Sequence, residues 1–244
     1  MAVVPLTDGS YIELIAAADE ELLDRNPFWS AQILADAGPC GWCVGVDNVE
    51  AESARLEKCG VTVDGPYDGA RVRPDGTEVR WRMAFVGESG PGALLPFLIE
   101  DVTPRTLRVA PASPPGDPAS SVVRRRPQGI TAVVLGVPDL APAVRRFRAV
   151  YGWCEPTYEE QSVWGARLAW FSDAPVVLAT AVANGSWLAG RTQQWGASPC
   201  AYLIEPEEAE EIPPVSLWAG REVAWLDLGT LGEMRLGLTR SAQN

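Results

Sequence analysis

Three groups of residues have the types and spacing for chemistry. Glu13 lies in Tyr11-Ile-Glu-Leu-Ile15, where strand alternation puts Tyr11, Glu13 and Ile15 on one face and Ile12 and Leu14 on the other. A carboxylate so placed is a candidate general base, against the plainer reading of a strand glutamate paired with an arginine. Arg71, Arg73, Arg80 and Arg82 cluster in RVRPDGTEVRWR. Glu78, Arg80 and Arg82 share one strand face, and Val79, Trp81, Met83 and Phe85 share the other. Packing of that apolar face on a helix would leave the arginines free to hold an anion by bidentate contacts, with cross-strand ion pairing as the alternative. The third group is Cys40-Gly-Trp-Cys43. A redox CxxC opens a helix, whose dipole lowers one thiol pKa. Here the pair runs into a strand, its side chains leave opposite faces, and buried structural thiols without a mutual disulfide are expected.

What is missing narrows the chemistry further. The chain has no histidine and one lysine, Lys58. That removes Ser-His-Asp and Cys-His nucleophile systems, histidine general bases and every histidine-containing metal site. With 20 basic and 32 acidic residues the formal charge is −12. A surface of that sign repels phosphate backbones and anionic bilayers, so nucleic-acid and membrane partners are not expected. No apolar run reaches the roughly 18 residues needed to span a bilayer. The odd count of five cysteines points to reduced thiols and a cytoplasmic location.

The elements that must position these residues fall into two lobes, 1–103 and 129–240, joined by a Pro-rich linker over 104–128. In the second lobe ITAVVLGV (130–137) reads as a buried strand. Asp139 caps a helix with Leu140, Val144, Phe147 and Val150 inward, and Gly152 ends it. Strands are expected over 162–171, 174–181 and in the last 25 residues. The first lobe repeats the order. Gly41–Val46 is a strand, and Val49–Gly60 a helix with Val49, Leu56 and Cys59 inward. Strands broken by Asp-Gly turns and LLPFLIE (94–100) follow. AGPCGWCV (37–44) is echoed by ASPCAYLI (197–204) at an offset of 160, which indicates duplication. The second lobe then holds two modules of one order. The first holds one complete module, preceded by only the final strand of another. The missing opening strand, helix and second strand imply either a start upstream of Met1 or an open sheet edge. A partner, a second copy or the 104–128 segment would have to cover such an edge.

TDGSYIELIA, GWCVGVDNVEAESARLEKCGV, RVRPDGTEVRW, LLPFLIED and RRPQGITAVVLGVPDL resemble the glyoxalase-like domain family of the vicinal oxygen chelate superfamily. The resemblance implies an α+β fold of βαβββ modules whose sheets form a cup around a small molecule. The superfamily's usual metal site takes a His from a module's first strand and a Glu from its last. By that resemblance Ala132 stands at the His position, Val177 and Leu98 at Glu positions, and Glu13 alone matches a ligand. The expectation is therefore a binder of a small organic ligand without a metal or other cofactor, and with a homodimer as one way to cover the open edge. Glu13 is the candidate catalytic residue, and Tyr11, Arg80, Trp81 and Arg82 are the candidate ligand-binding residues. A lyase, isomerase or dioxygenase-type activity is the alternative, metal-dependent only if ligands come from outside this chain. A structural relative with a filled cup is a third reading.

Overall fold

A computed structural model describes residues 2–17, 28–111, 127–206, 216–218, 221–226 and 235–240. A hairpin comes first, β1 (Ala2–Pro5) and β2 (Tyr11–Leu14), paired antiparallel with Val3 opposite Glu13. After the short helix α1 (Ser30–Leu34), β3 (Cys43–Gly45), α2 (Val49–Lys58), β4 (Val63–Val72), β5 (Glu78–Val86) and β6 (Phe97–Asp101) form a four-stranded sheet ordered β3-β6-β5-β4. α3 (Arg105–Arg108) follows.

The second lobe repeats the four-strand order of this sheet twice. β7 (Pro127–Gly136), α4 (Leu140–Tyr151), β8 (Thr157–Gln161), β9 (Ala166–Trp170) and β10 (Val176–Ala181) form one unit. After α5 (Trp187–Trp195) come β11 (Ser198–Pro206), β12 (Ser216–Trp218), β13 (Arg221–Trp225) and β14 (Leu236–Arg240). The units join where β7 pairs antiparallel with β11, giving one eight-stranded sheet, β12-β13-β14-β11-β7-β10-β9-β8.

Local sequence explains the helices. Asn48 Oδ1 accepts a hydrogen bond from Ala51 N at the start of α2, and Asp139 caps α4 through Ala141 N. Gly152 ends α4 in the left-handed conformation, as its position suggests. Both helices lie between the two sheets. Val49 and Leu56 of α2 and Val144 and Phe147 of α4 share one core with Ala84, Val86 and Leu98 from the first sheet and Val133, Leu135 and Leu178 from the second. Arg55 of α2 closes the seam by donating to the Val150 carbonyl at 2.8 Å.

Several details differ from the sequence reading. Cys59 is not inward; it follows the last turn of α2 and is exposed. Asp64-Gly65 and Asp68-Gly69 do not break the chain into separate strands, because both lie within β4, where a bulge before Tyr67 absorbs the irregularity. Gly69 makes room there for a close approach: a Cβ on it would collide with the Trp81 indole. The N-terminal residues supply two strands rather than one. Of the stretch read as a linker, Arg105–Arg108 is helical and β7 begins at Pro127, while 112–126 lie outside the described residues.

Candidate functional site

A cavity of about 810 Å³ opens between β2, the Asp36–Trp42 loop, β3 and β6. Its floor is Ile130, Val133 and Tyr202 of the second lobe, and Trp29, Phe97 and Ile99 add apolar wall. The two echoed segments hold this region together. Arg191 of α5, buried, donates to the carbonyls of Ala37 (2.5 Å), Pro39 and Pro199 (2.8 Å), and Tyr202 Oη donates to Gly41 O at 2.9 Å.

The polar side chains come from β2 and α3. Arg108 pairs with both oxygens of Asp101 on β6, at 2.5 and 3.0 Å, and donates to Tyr11 Oη at 2.8 Å. Burial opposes the Arg108 cation, but the Asp101 and Tyr11 contacts outweigh it and its pKa is raised. Tyr11 Oη also meets Cys43 Sγ at 3.7 Å, and burial pushes the phenol up to about 12. Arg105, one turn before Arg108, donates to Gly9 O. Glu13 lines the same cavity. The residue as a whole is exposed, yet desolvation of the carboxyl raises its pKa against the pull of Arg108 and Arg71. Burial also raises the thiol pKa values of Cys40 and Cys43, the reverse of an activated redox pair.

Of the residues singled out by sequence, Tyr11 and Glu13 are therefore brought together; Arg80, Trp81 and Arg82 are elsewhere. The even face of β5 packs on α2 through Ala84 and Val86, so Arg80 and Arg82 lie on the helix side. Arg82 pairs with Glu50 of α2 and, at 3.4 Å, with Asp68; Arg80 lies 3.8 Å from Glu78. The arrangement inferred from alternation is reversed, because the two inner residues at the far end of β5 outweigh the four apolar ones opposite. Those four face the concave side, where Phe85 meets Phe28, Tyr67 and Phe97, and Trp81 covers Gly69. Leu98 is likewise under α2, and the cavity-facing residues of β6 are Phe97 and Ile99. Arg105, Arg108 and Asp101 were not picked out. The signal for them was two arginines three apart after Pro104, one helical turn on one face.

The second lobe's concave face is filled. Trp164 lies 4.7 Å from both Trp218 and Trp225 and 5.4 Å from Trp187, ring centre to ring centre, and the Arg235 guanidinium stacks 3.9 Å over Trp187. Ala132 and Val177 lie buried in this same cluster and offer no donor atom. Among the described residues no group of three His, Cys, Asp or Glu side chains is placed to hold a metal ion. Among the described residues no helix is long and apolar enough to cross a membrane.

None of the curated proteins matches the sequence. Among solved structures, a hypothetical protein from Staphylococcus aureus is similar over 96% of this chain and 82% of its own, with a TM-score of 0.56 and 12% identity. Methylmalonyl-CoA epimerase from Mycobacterium tuberculosis is similar over 48% of this chain and 90% of its own (TM-score 0.43, 13% identity). A Streptomyces coelicolor methylmalonyl-CoA epimerase complex covers 47% and 97% (TM-score 0.40, 16% identity). The glyoxalase-like domain family matches residues 1–151, from the first hairpin through α4. This match, over more than half the sequence, establishes that the chain belongs to the glyoxalase-like domain family.

Proposed function

We propose that the protein binds a small organic ligand in the cavity between β2 and β3, without the His/Glu metal pair usual in its superfamily. The observation that carries this reading is the convergence of Tyr11, Glu13, Arg105 and Arg108 on a largely apolar cavity, while the second lobe's concave face is filled by tryptophans. Arg105 and Arg108 supply positive potential for an anionic group. Trp29, Phe97 and Ile99 exclude water from its apolar part. Glu13, protonated more readily than an ordinary glutamate, can donate to a ligand oxygen or take a proton from one. The five free thiols fit a reducing compartment such as the cytoplasm.

A second reading, an isomerase- or lyase-type enzyme with Glu13 as the base, is favoured by that same raised pKa beside two cations. Titrating tryptophan fluorescence with a panel of small carboxylic acids tests both readings. Binding predicts a saturable change through Trp29 and Trp42, weakened in Arg105→Ala. A panel that shifts neither fluorescence nor melting temperature removes the binding reading. Turnover that disappears in Glu13→Gln while affinity persists establishes the second.

A further inference from the structure

The repeated units show what occupies the matching place in the second lobe. There β7 lies between β10, to which it is parallel, and β11, to which it is antiparallel. β2 corresponds to β10 as the strand preceding the Trp-bearing segment and the echoed loop, and β3 corresponds to β11 through the 160-residue echo. Among the described residues, β2 pairs only with β1 and β3 only with β6, so the place between them holds no strand; it is the cavity.

Among the described residues, the backbone that each strand turns to this gap has no partner. Leu6 N donates to Ser10 O, so by antiparallel alternation Ile12 and Leu14 bond toward β1 while Tyr11 and Glu13 turn their N–H and C=O to the opposite side. Phe97 N donates to Trp42 O and Val46 N to Ile99 O, so Cys43 and Gly45 turn theirs away from β6. In the second lobe Leu203, the counterpart of Cys43, pairs with Ala132 of β7. Pro175 and Ala179 on the β10 side accept from Val133 N and Val137 N.

We infer that the ligand of this cavity is an extended peptide segment that inserts as a strand, parallel to β2 and antiparallel to β3. The inference rests on the reading of the cavity as a binding site and names its ligand class. Unpaired N–H and C=O groups on two facing edges give main-chain affinity along the whole segment. The side chains set its pattern. Alternate residues meet Ile130, Val133, Trp42 and Tyr202 and must be large and apolar. The others meet the Tyr11–Cys43 contact, with Glu13 and Arg108 beside it, and must be small. β7 has the same two faces in its own place: Val133 and Leu135 point into the helix layer and Ala132 and Val134 to the other face.

The probe is a fluorescein-labelled peptide Gly-Ile-Thr-Ala-Val-Val-Leu-Gly, the sequence of residues 129–136, with lysine tails for solubility. Fluorescence anisotropy with the full chain should show saturable binding. The same peptide N-methylated at alternate residues, side chains and charge retained, should bind at least about tenfold more weakly, since each lost buried main-chain bond is worth roughly that factor. Equal binding of the methylated peptide overturns strand insertion. Binding of small carboxylic acids but not of the peptide overturns this inference and leaves the cavity reading standing. Binding of neither removes both. A chain that sediments as a dimer and takes the peptide only on dissociating assigns the gap to a second copy, and overturns the peptide as its ligand.

Discussion

Glu13 ionises against the surroundings its strand provides. Desolvation lifts its pKa in the folded chain above that of the unfolded chain, so between the two values the folded state holds the extra proton. Stability conferred by that proton is fully present below the unfolded pKa and is lost as pH rises through the folded one. Glu13→Gln removes the ionisable group while preserving shape. The variant should match the parent at pH 3.5 and equal or exceed it at pH 7, in urea unfolding at both values. A variant less stable only at pH 7 would show that the carboxylate is held by favourable pairing instead. Arg108 differs in kind: its guanidinium already satisfies Asp101 and Tyr11, so it orders the cavity wall as well as charging it.

At the scale of elements, close packing decides positions that alternation leaves open. β4 and β5 hold opposite charges on the helix side, where Asp68 and Arg82 pair, and aromatic rings on the other. Gly69 lets the Trp81 indole lie flat on its neighbour. Gly69→Ala should cost about 1–3 kcal/mol through overpacking. Gly185→Ala, with nothing within 4 Å of the added carbon, should be neutral or stabilising by about 0.4–1 kcal/mol. Thermal melts of the two variants check the contrast, and equal loss in both would show that Trp81 rotates away at little cost.

Across the whole molecule, α2 and α4 form one layer shared by both sheets, so the core beneath the first sheet is continuous with the helix-side core of the second, while the tryptophan cluster belongs to the second lobe alone. Phe147, fully buried and ringed by Tyr151, Trp153 and Phe171, is central to it. Phe147→Ala should lower stability by about 3–5 kcal/mol. Loss of amide protection in α2 should accompany loss in α4, followed by hydrogen exchange. Exchange that rises in α4 while α2 stays protected would separate the lobes into independent units.

Much of this was legible in the chain alone. The strand–helix–strands order, the caps Asp139 and Gly152, the echo at 160 residues and the family resemblance are local patterns, set by propensity, periodicity and turn chemistry. The absence of histidine removed whole classes of catalysis before any geometry. Tyr11 and Glu13 do both line the cavity, but so do Ile12 and Leu14, which alternation places on the other face. What alternation cannot supply is which face meets a helix. In β5 that was settled by Ala84 and Val86 fitting under α2, which carried Arg80 and Arg82 away from the cavity. Arg105 and Arg108, the latter held by Asp101, meet Tyr11 across nearly one hundred residues of chain, and the gap between β2 and β3 exists only once both sheets are assembled. Such contacts follow from packing of distant segments, and no local pattern encodes them.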